Sequence, residues 1–415
     1  MSNPTNNPML LKITEIQGRG RSLVSTQPLK AGQVILQDSP ILLYPATTPS
    51  KNGEFSNFCS NCFKKLHVNS TNSNNLNSCP SCSYHALFCN PNCQTSALSG
   101  SHSTWVCQAL NYIRYSSPNL PFLQDPDTQI QARFLVSAYN LAVTSPSNFQ
   151  LLLSLQGEAP LIPNPQTQAL HSFIASLSPP QSGFGFSPEL TAALLAKDKQ
   201  NAFGLMDENS TDERTVRAYG IYPKASFFNH DCLPNACRFD YVDGSNSGGS
   251  SGSAVPDNIT SNTDIIIRVI HDVPEGREIC LSYFPVTWTY LERQTRLKDD
   301  YGFECDCDRC KVEVNWKEED DNSGTGMEPD NDEAMEGSDE DANEADNDFP
   351  HAYFFVKYVC DRDNCGGTLA PLPPSQDSSP SDVLECNVCG RLRKEEEDDM
   401  DGDNGNDEDG DMLEE

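Results

Sequence analysis

The chain has 415 residues, 60 acidic and 28 basic side chains for a formal net charge of −32, and 17 cysteines. That length accommodates two or more domains, but no apolar run approaches the roughly 20 residues of a membrane span, and no basic patch suits nucleic acid. A membrane-spanning protein and a sequence-specific DNA binder are therefore not expected. The acidity is concentrated: residues 318–348 carry 15 Asp/Glu and residues 395–415 carry 13 more, with no Lys or Arg in either stretch. Both read as disordered, one a linker and one a tail, and the remainder is close to neutral. The absence of a secretory leader and the short Cys spacings point to a reducing setting, nucleus and/or cytoplasm, with metal ligation rather than disulfides.

From Leu10 to Tyr44 the pattern predicts short strands: Leu11–Ile13, Val34–Leu36 and Ile41–Tyr44, with a turn at Gly18-Arg19-Gly20-Arg21. The first cysteine-rich segment follows. Its units Cys59-x2-Cys62, Cys79-x2-Cys82, Cys89-x3-Cys93 and His102-x4-Cys107 supply eight ligands, enough for two tetrahedral Zn²⁺ ions. A tight turn aims two thiolates at one ion, and the metal supplies folding energy that a module of this size lacks. His85 competes with His102 for the last place, and His102 is preferred because His85 would crowd the Cys89 pair.

Residues 108–200 read as mainly helical, with apolar periodicity from Gln129 to Val143 and again over Leu190–Leu195. Strand-like text returns at Ala225–Phe228 and at Asp264–Ile270, flanking a Gly/Ser/Asn-rich flexible insert at 244–262. Tyr290–Leu297 predicts a short helix. Cys232 and the Cys305-x-Cys307-x2-Cys310 run form a third four-thiolate site, pinning two distant stretches together. Cys360-x4-Cys365 and Cys386-x2-Cys389 form a fourth, a ribbon-like unit whose Gly366, Gly367 and Gly390 suit tight turns. Cys237 and Cys280 are left over as ordinary buried thiols.

The segment Asn229-His230-Asp231-Cys232-Leu233-Pro234-Asn235, with Ser282-Tyr283, Tyr301-Gly302-Phe303 and the Cys305 run downstream, resembles the core of SET-domain lysine methyltransferases. The interleaved pairs at 59–107 resemble a MYND finger, with Cys59, Cys62, Cys89 and Cys93 on one ion and Cys79, Cys82, His102 and Cys107 on the other. The order of pieces over roughly 10–310 is similar to that of the SET-and-MYND (SMYD-type) family, plant SET-domain members among them. The resemblance implies an α+β fold: a SET-domain small-sheet pseudoknot split by a MYND finger and a helical insert, with a C-terminal four-cysteine ribbon beyond it. The implied ranges are 10–55 for the first SET part, 56–108 for the finger, 109–200 for the helical insert, 201–298 for the SET core and 299–316 for the post-SET zinc segment. An acidic linker at 317–350, the ribbon-like unit at 351–393 and an acidic tail at 394–415 complete the chain.

The same resemblance implies S-adenosylmethionine as cofactor beside Zn²⁺ at three sites and a fourth. It implies cofactor contacts from Gly18, Arg19, Gly20, Arg21, Asn201, Ser226, Asn229, His230, Tyr283 and Phe303, and catalytic roles for the phenols of Tyr283 and Tyr301. Arg277 stands where an acid is frequent in the family. The expected activity is methyl transfer to a lysine of a histone or non-histone protein. The alternative is a non-catalytic adaptor whose finger binds Pro-rich peptides. Methyl transfer to an amine is an in-line displacement, served by positioning and fixed dipoles.

Overall fold

The structure, a computed structural model, describes residues 9–46, 58–66, 77–82, 85–116, 119–207, 215–241, 243, 263–316, 351–374 and 381–394. The expected acidic linker at 317–350, the tail beyond 394 and the insert at 244–262 lie outside the described residues.

Strands β1 (Leu11–Ile16) and β2 (Gly20–Ser25) form a hairpin. Its turn needs glycine, since Gly18 (φ +79°) and Gly20 (φ +71°) are left-handed. After β3 (Val34–Asp38) and β4 (Leu42–Pro45) the chain enters the first cysteine-rich body. There β5 (Asn77–Ser78) pairs with β6 (Leu87–Phe88), and α1 (Pro91–Ser99) follows.

Four of the next five helices start with proline: α3 (Pro126–Thr144), α4 (Pro146–Ser154), α5 (Pro165–Ser176) and α6 (Pro188–Asn201); α2 (Thr104–Ser116) precedes them. Proline suits a first helical position, where the missing N–H had no partner. Asp125, Asn164 and Ser187 cap α3, α5 and α6 by accepting from the N–H three residues on. Phe134, Leu135 and Tyr139 of α3 meet Phe149, Leu152, Ile174 and Leu194 in one core. Each such side chain contributes about 1.5–3 kcal/mol on burial.

Strands β7 (Ala202–Asp207) and β8 (Thr215–Ile221) join β4 in the order β4-β8-β7. Next come β9 (Asn229–His230), β10 (Ala236–Asp240), β11 (Ile265–Val269) and β12 (Cys280–Leu281). Here β11 lies between β10 and β3 and is buried throughout, as its run Ile-Ile-Ile-Arg-Val suggests. Ile265, Ile267 and Val269 face the central core, while Ile266 packs with Phe239, Tyr358 and Ala370 on the other side. The expected strand at Ala225–Phe228 is instead a single 3-10 turn over Ala225–Phe227. The reason is local: the Asp38 carboxylate accepts from the Lys224 and Ala225 N–H groups and curls the chain.

Helices α7 (Tyr290–Arg296) and α8 (Asp308–Glu313) flank the Cys305 run. The C-terminal unit consists of α9 (Ala352–Tyr358) and a sheet of β13 (Leu369–Pro371), β14 (Val383–Cys386) and β15 (Leu392–Lys394). It is fused to the centre of the molecule. Arg268 of β11 and Glu385 of β14 form an ion pair at 2.8 Å with both side chains 1% exposed, and Arg268 also lies over the Phe239 ring. No described helix is long and apolar enough to cross a membrane.

Candidate active site

The segment from Asn229 to Asn235 is pinned from several sides. Strand β9 pairs in parallel with β12, Cys280 opposite Asn229 and Leu281 opposite His230. The Asn235 side chain accepts from the Cys280 N–H and donates to the Glu278 carbonyl. The Asn229 amide donates to the Arg19 carbonyl, the Ser22 hydroxyl and the Glu278 carboxylate. Arg19 closes the knot with an ion pair to Glu278 at 3.1 Å and a bond to the His230 carbonyl at 2.8 Å. The β1–β2 hairpin is thus locked to residues more than 200 positions away in the chain.

His230 sits 2% exposed at the centre of this knot, and burial pushes its pKa down to about 3, so the ring is neutral. Its Nδ1 accepts from the Tyr283 N–H at 3.2 Å, which leaves the proton on Nε2, facing Cys232 Sγ at 3.3 Å. One imidazole therefore links a cysteine cluster to a tyrosine backbone.

The rings of Tyr283 and Tyr301 lie 4.7 Å apart, and the Tyr283 hydroxyl donates to the Phe228 carbonyl at 2.9 Å. Both phenols line a cavity of about 360 Å³ together with Phe203, Ser226 and Phe228. Burial, with Tyr301 as the next cause, pushes the Tyr283 phenol above its ordinary 10, and burial raises Tyr301 as well. Both remain protonated at neutral pH. The opposite wall is unexpected. Gly366, Thr368, Asn387 and Val388 of the C-terminal unit complete the cavity, and Asn387 is fixed there by the Arg238 carbonyl and the Thr368 N–H.

The cysteines gather into four groups whose ligand atoms all lie within 4.8 Å of one another: Cys59, Cys62, Cys89, Cys93; Cys79, Cys82, His102, Cys107; Cys232, Cys305, Cys307, Cys310; and Cys360, Cys365, Cys386, Cys389. All are free thiols. A tetrahedral zinc with Zn–S near 2.3 Å sets its sulfurs about 3.8 Å apart, whereas a disulfide needs about 2.05 Å. The observed separations are 3.7 Å for Cys62–Cys89, 3.8 Å for Cys79–Cys107, 3.9 Å for Cys232–Cys305 and 3.6 Å for Cys365–Cys386. Each group can hold a zinc ion, and closed four-donor sites of this kind are structural. His85 lies outside them, bonded to the Tyr115 hydroxyl at 2.6 Å.

The model of the SET domain matches residues 20–284, more than half of the chain. The chain belongs to the SET-domain family. It is 51% identical over 414 residues to histone-lysine N-methyltransferase ASHR2 of Arabidopsis thaliana, covering 93% of this chain and 96% of that protein. Histone-lysine N-methyltransferase ASHR1 of Arabidopsis thaliana is 25% identical, over 72% of this chain and 55% of its own length. N-lysine methyltransferase SMYD2 of Homo sapiens is 25% identical, over 71% of this chain and 58% of its own length.

Within this SET domain the residues expected around a cofactor fall into two sets. Arg19, Asn229, His230 and Tyr283 converge on the knot, Gly18 and Gly20 flank Arg19 in the hairpin turn, and Phe303, two residues after Tyr301, is 40% exposed. Asn201 and Ser226 line the cavity instead. The Asn201 amide donates to the Gln156 and Lys197 carbonyls, and the Ser226 hydroxyl donates to the Tyr222 carbonyl. Arg21 reaches sideways to the Ser154 carbonyl and over the Phe227 ring.

Sequence reasoning missed four charges that the fold encloses: half-buried Glu278 and buried Arg293, Arg309 and Glu313. Glu278 holds both Arg19 and Asn229, although its neighbour Arg277 had drawn the notice. Arg293, fully buried, donates to Cys232 Sγ at 3.2 Å and pairs with Glu313, which also takes Arg309 at 2.6 Å. An arginine between thiolates favours their ionised form. The (i, i+4) spacing of Arg309 and Glu313 was the one available signal.

Proposed function

We propose that this SET-domain protein is a protein-lysine N-methyltransferase, moving a methyl group from S-adenosylmethionine to a lysine side chain of a histone or non-histone protein. The observation that carries the reading is the pair of protonated phenols, Tyr283 and Tyr301, lining a cavity beside the Arg19–Asn229–His230 knot. The relatives named above give the reaction class.

The cofactor, when bound, supplies a methyl group on a positively charged sulfur. The residues fit such a group: apart from the adjoining residues, no described heavy atom lies within 4 Å of where a Cβ would stand on Gly18 or Gly20, so the hairpin turn leaves room for close approach. Gly18, Arg19, Gly20, Asn229, His230 and Phe303 would hold it, with Arg21, Asn201 and Ser226 at the margin. Tyr283 is shared by the knot and the cavity. Its hydroxyl proton is committed to the Phe228 carbonyl, which leaves the oxygen to accept from an incoming amine. Entry into an aromatic cavity strips water from a lysine and lowers its pKa, favouring the neutral nucleophile. The acids bordering the cavity are already engaged, Asp243 with Arg217 at 2.8 Å and Asp240 with Arg238 at 3.4 Å. Aromatic faces favour the cationic methyl donor.

The wall made by Asn387 and Val388 would meet the substrate residues that flank the lysine. Zinc at the four clusters would be structural. Residues 56–108 would act as a MYND finger open to Pro-rich peptides, and the protein would work in the nucleus and/or the cytoplasm.

The test is to incubate zinc-loaded protein with labelled S-adenosylmethionine, core histones and a cell extract, beside Tyr283→Phe. Label entering a protein band, reduced about 100-fold or more in the variant, supports the enzyme. Cofactor binding with no transfer to any protein would favour the adaptor.

A further inference from the structure

A second cavity, of about 420 Å³, lies between the first cysteine-rich body and the helical body, far in character from the tyrosine cavity. Its size is that of a small-molecule site. Part of its lining is apolar, from Ile41, Leu42, Val106, Leu110 and Leu141. The polar part combines neutral Ser, Asn and Thr side chains, the zinc-group residues Cys59, Cys82, His102 and Cys107, and three arginines. Arg114, Arg133 and Arg217 all border it, and no Asp or Glu stands among its described lining residues, in a chain with a net charge of −32.

Arg133 is the decisive residue. It is 5% exposed, and only its Nη2 is committed, to the Ala46 carbonyl at 3.1 Å. Its Nε and Nη1 are buried without a hydrogen-bond partner among the described residues. Arg217 differs, being held by the Phe63 carbonyl and Asp243. Burial first, and Arg114 second, lower the Arg133 pKa to about 10, and no acid counters them. A guanidinium in such a place stays charged at neutral pH. A buried charge with no counter-ion among the described residues is costly, and an unsatisfied group of this kind needs an explanation, such as an ion that pairs with it.

We propose that this cavity binds a carboxylate-bearing ligand with an apolar body, its carboxylate on Arg133 and its body along Leu42, Val106 and Leu110. A single guanidinium with spare N–H groups suits one carboxylate, and the apolar lining suits a chain or ring behind it. The proposal is independent of the methyl-transfer reading.

Octanoate is the probe, titrated calorimetrically into the full zinc-loaded chain, with octanol as its neutral counterpart and inorganic phosphate as an anion without a body. Octanoate should give a saturable isotherm and raise Tm. Octanol and phosphate should each bind at least about tenfold more weakly. Arg133→Met should lose octanoate binding by about tenfold or more, while its own Tm without ligand equals or exceeds that of the wild type, because an unpaired buried charge is gone. A purely structural Arg133 would lower that Tm. Should the Met variant not fold, the wild-type comparison decides alone: octanol or phosphate matching octanoate overturns the proposal, as does the absence of octanoate binding.

Discussion

Around Cys232 the thiols are drawn from places 73 and more residues apart and wrapped in buried charge, with Arg293 on the sulfurs and Glu313 and Arg309 behind it. Around Cys360 they come from within 29 residues and are held by a three-stranded sheet and the backbone bond from the Cys360 N–H to the Gly367 carbonyl. Both clusters can hold a zinc ion, and both border the tyrosine cavity through their neighbours. The first reaches it through His230, which fastens the Tyr283 backbone, and the second through Asn387 and Val388, which only face the two tyrosines. Similar donors thus serve two tasks, one fastening a tyrosine of the cavity and the other shaping the opposite wall.

The comparison can be broken most sharply at Cys310. Cys310→Ala should cost one equivalent of zinc and reduce methyl transfer by about 100-fold or more, because a structural zinc carries folding energy. Metal analysis beside the transfer assay reads both. Retained activity would detach the cluster from the tyrosines. Next in size, Arg293→Met leaves Glu313 to Arg309 alone and removes a cation from the thiolates, so the denaturant midpoint should fall by an amount equivalent to about 1–3 kcal/mol. A loss below about 1 kcal/mol would show that the buried charge is dispensable.

Cys386→Ala sharpens the contrast from the other side. The protein substrate KM should rise about tenfold as the wall loosens, while S-adenosylmethionine affinity, measured by calorimetry, stays within about twofold. An equal loss of both would erase the division of labour. The smallest effect lies away from both clusters. Asp198 is buried under Tyr44, and burial lifts its carboxyl from 3.8 to about 7. A folded-state value above the unfolded one means that the protonated form stabilises the fold. That stabilisation is complete below about pH 4 and is lost as pH rises through about 7. Asp198→Asn should flatten Tm against pH in this window, and an unchanged slope would assign it to other groups.

The cysteine pairs were legible from spacing, because two thiols on one turn leave few other uses, while their interleaving at 59–107 came only from the resemblance to a MYND finger. The helical character of 108–200 was legible from periodicity. What spacing did not carry was long-range burial. Glu278 and Arg293 read as ordinary surface charges until the fold closed on them, and Ala225–Phe228 read as a strand because the curling partner, Asp38, is 186 residues or more away. The Asn387–Val388 wall was hidden for the same reason. The turn that places it looks in sequence like any zinc knuckle, and its position depends on Arg268 meeting Glu385 across 117 residues.

Gly32 shows how tightly that arrangement is drawn. It is left-handed at φ +78°, and a Cβ there would stand 2.4 Å from the Leu372 carbonyl oxygen. A residue near the start of the chain is thus seated against one made some 340 positions later. On the ribosome, the hairpin, the cysteine-rich body and the helices emerge long before β13 and β14 do. The tyrosine cavity therefore stands without its far wall until β13 and β14 have emerged, so a shorter nascent chain has no closed cavity.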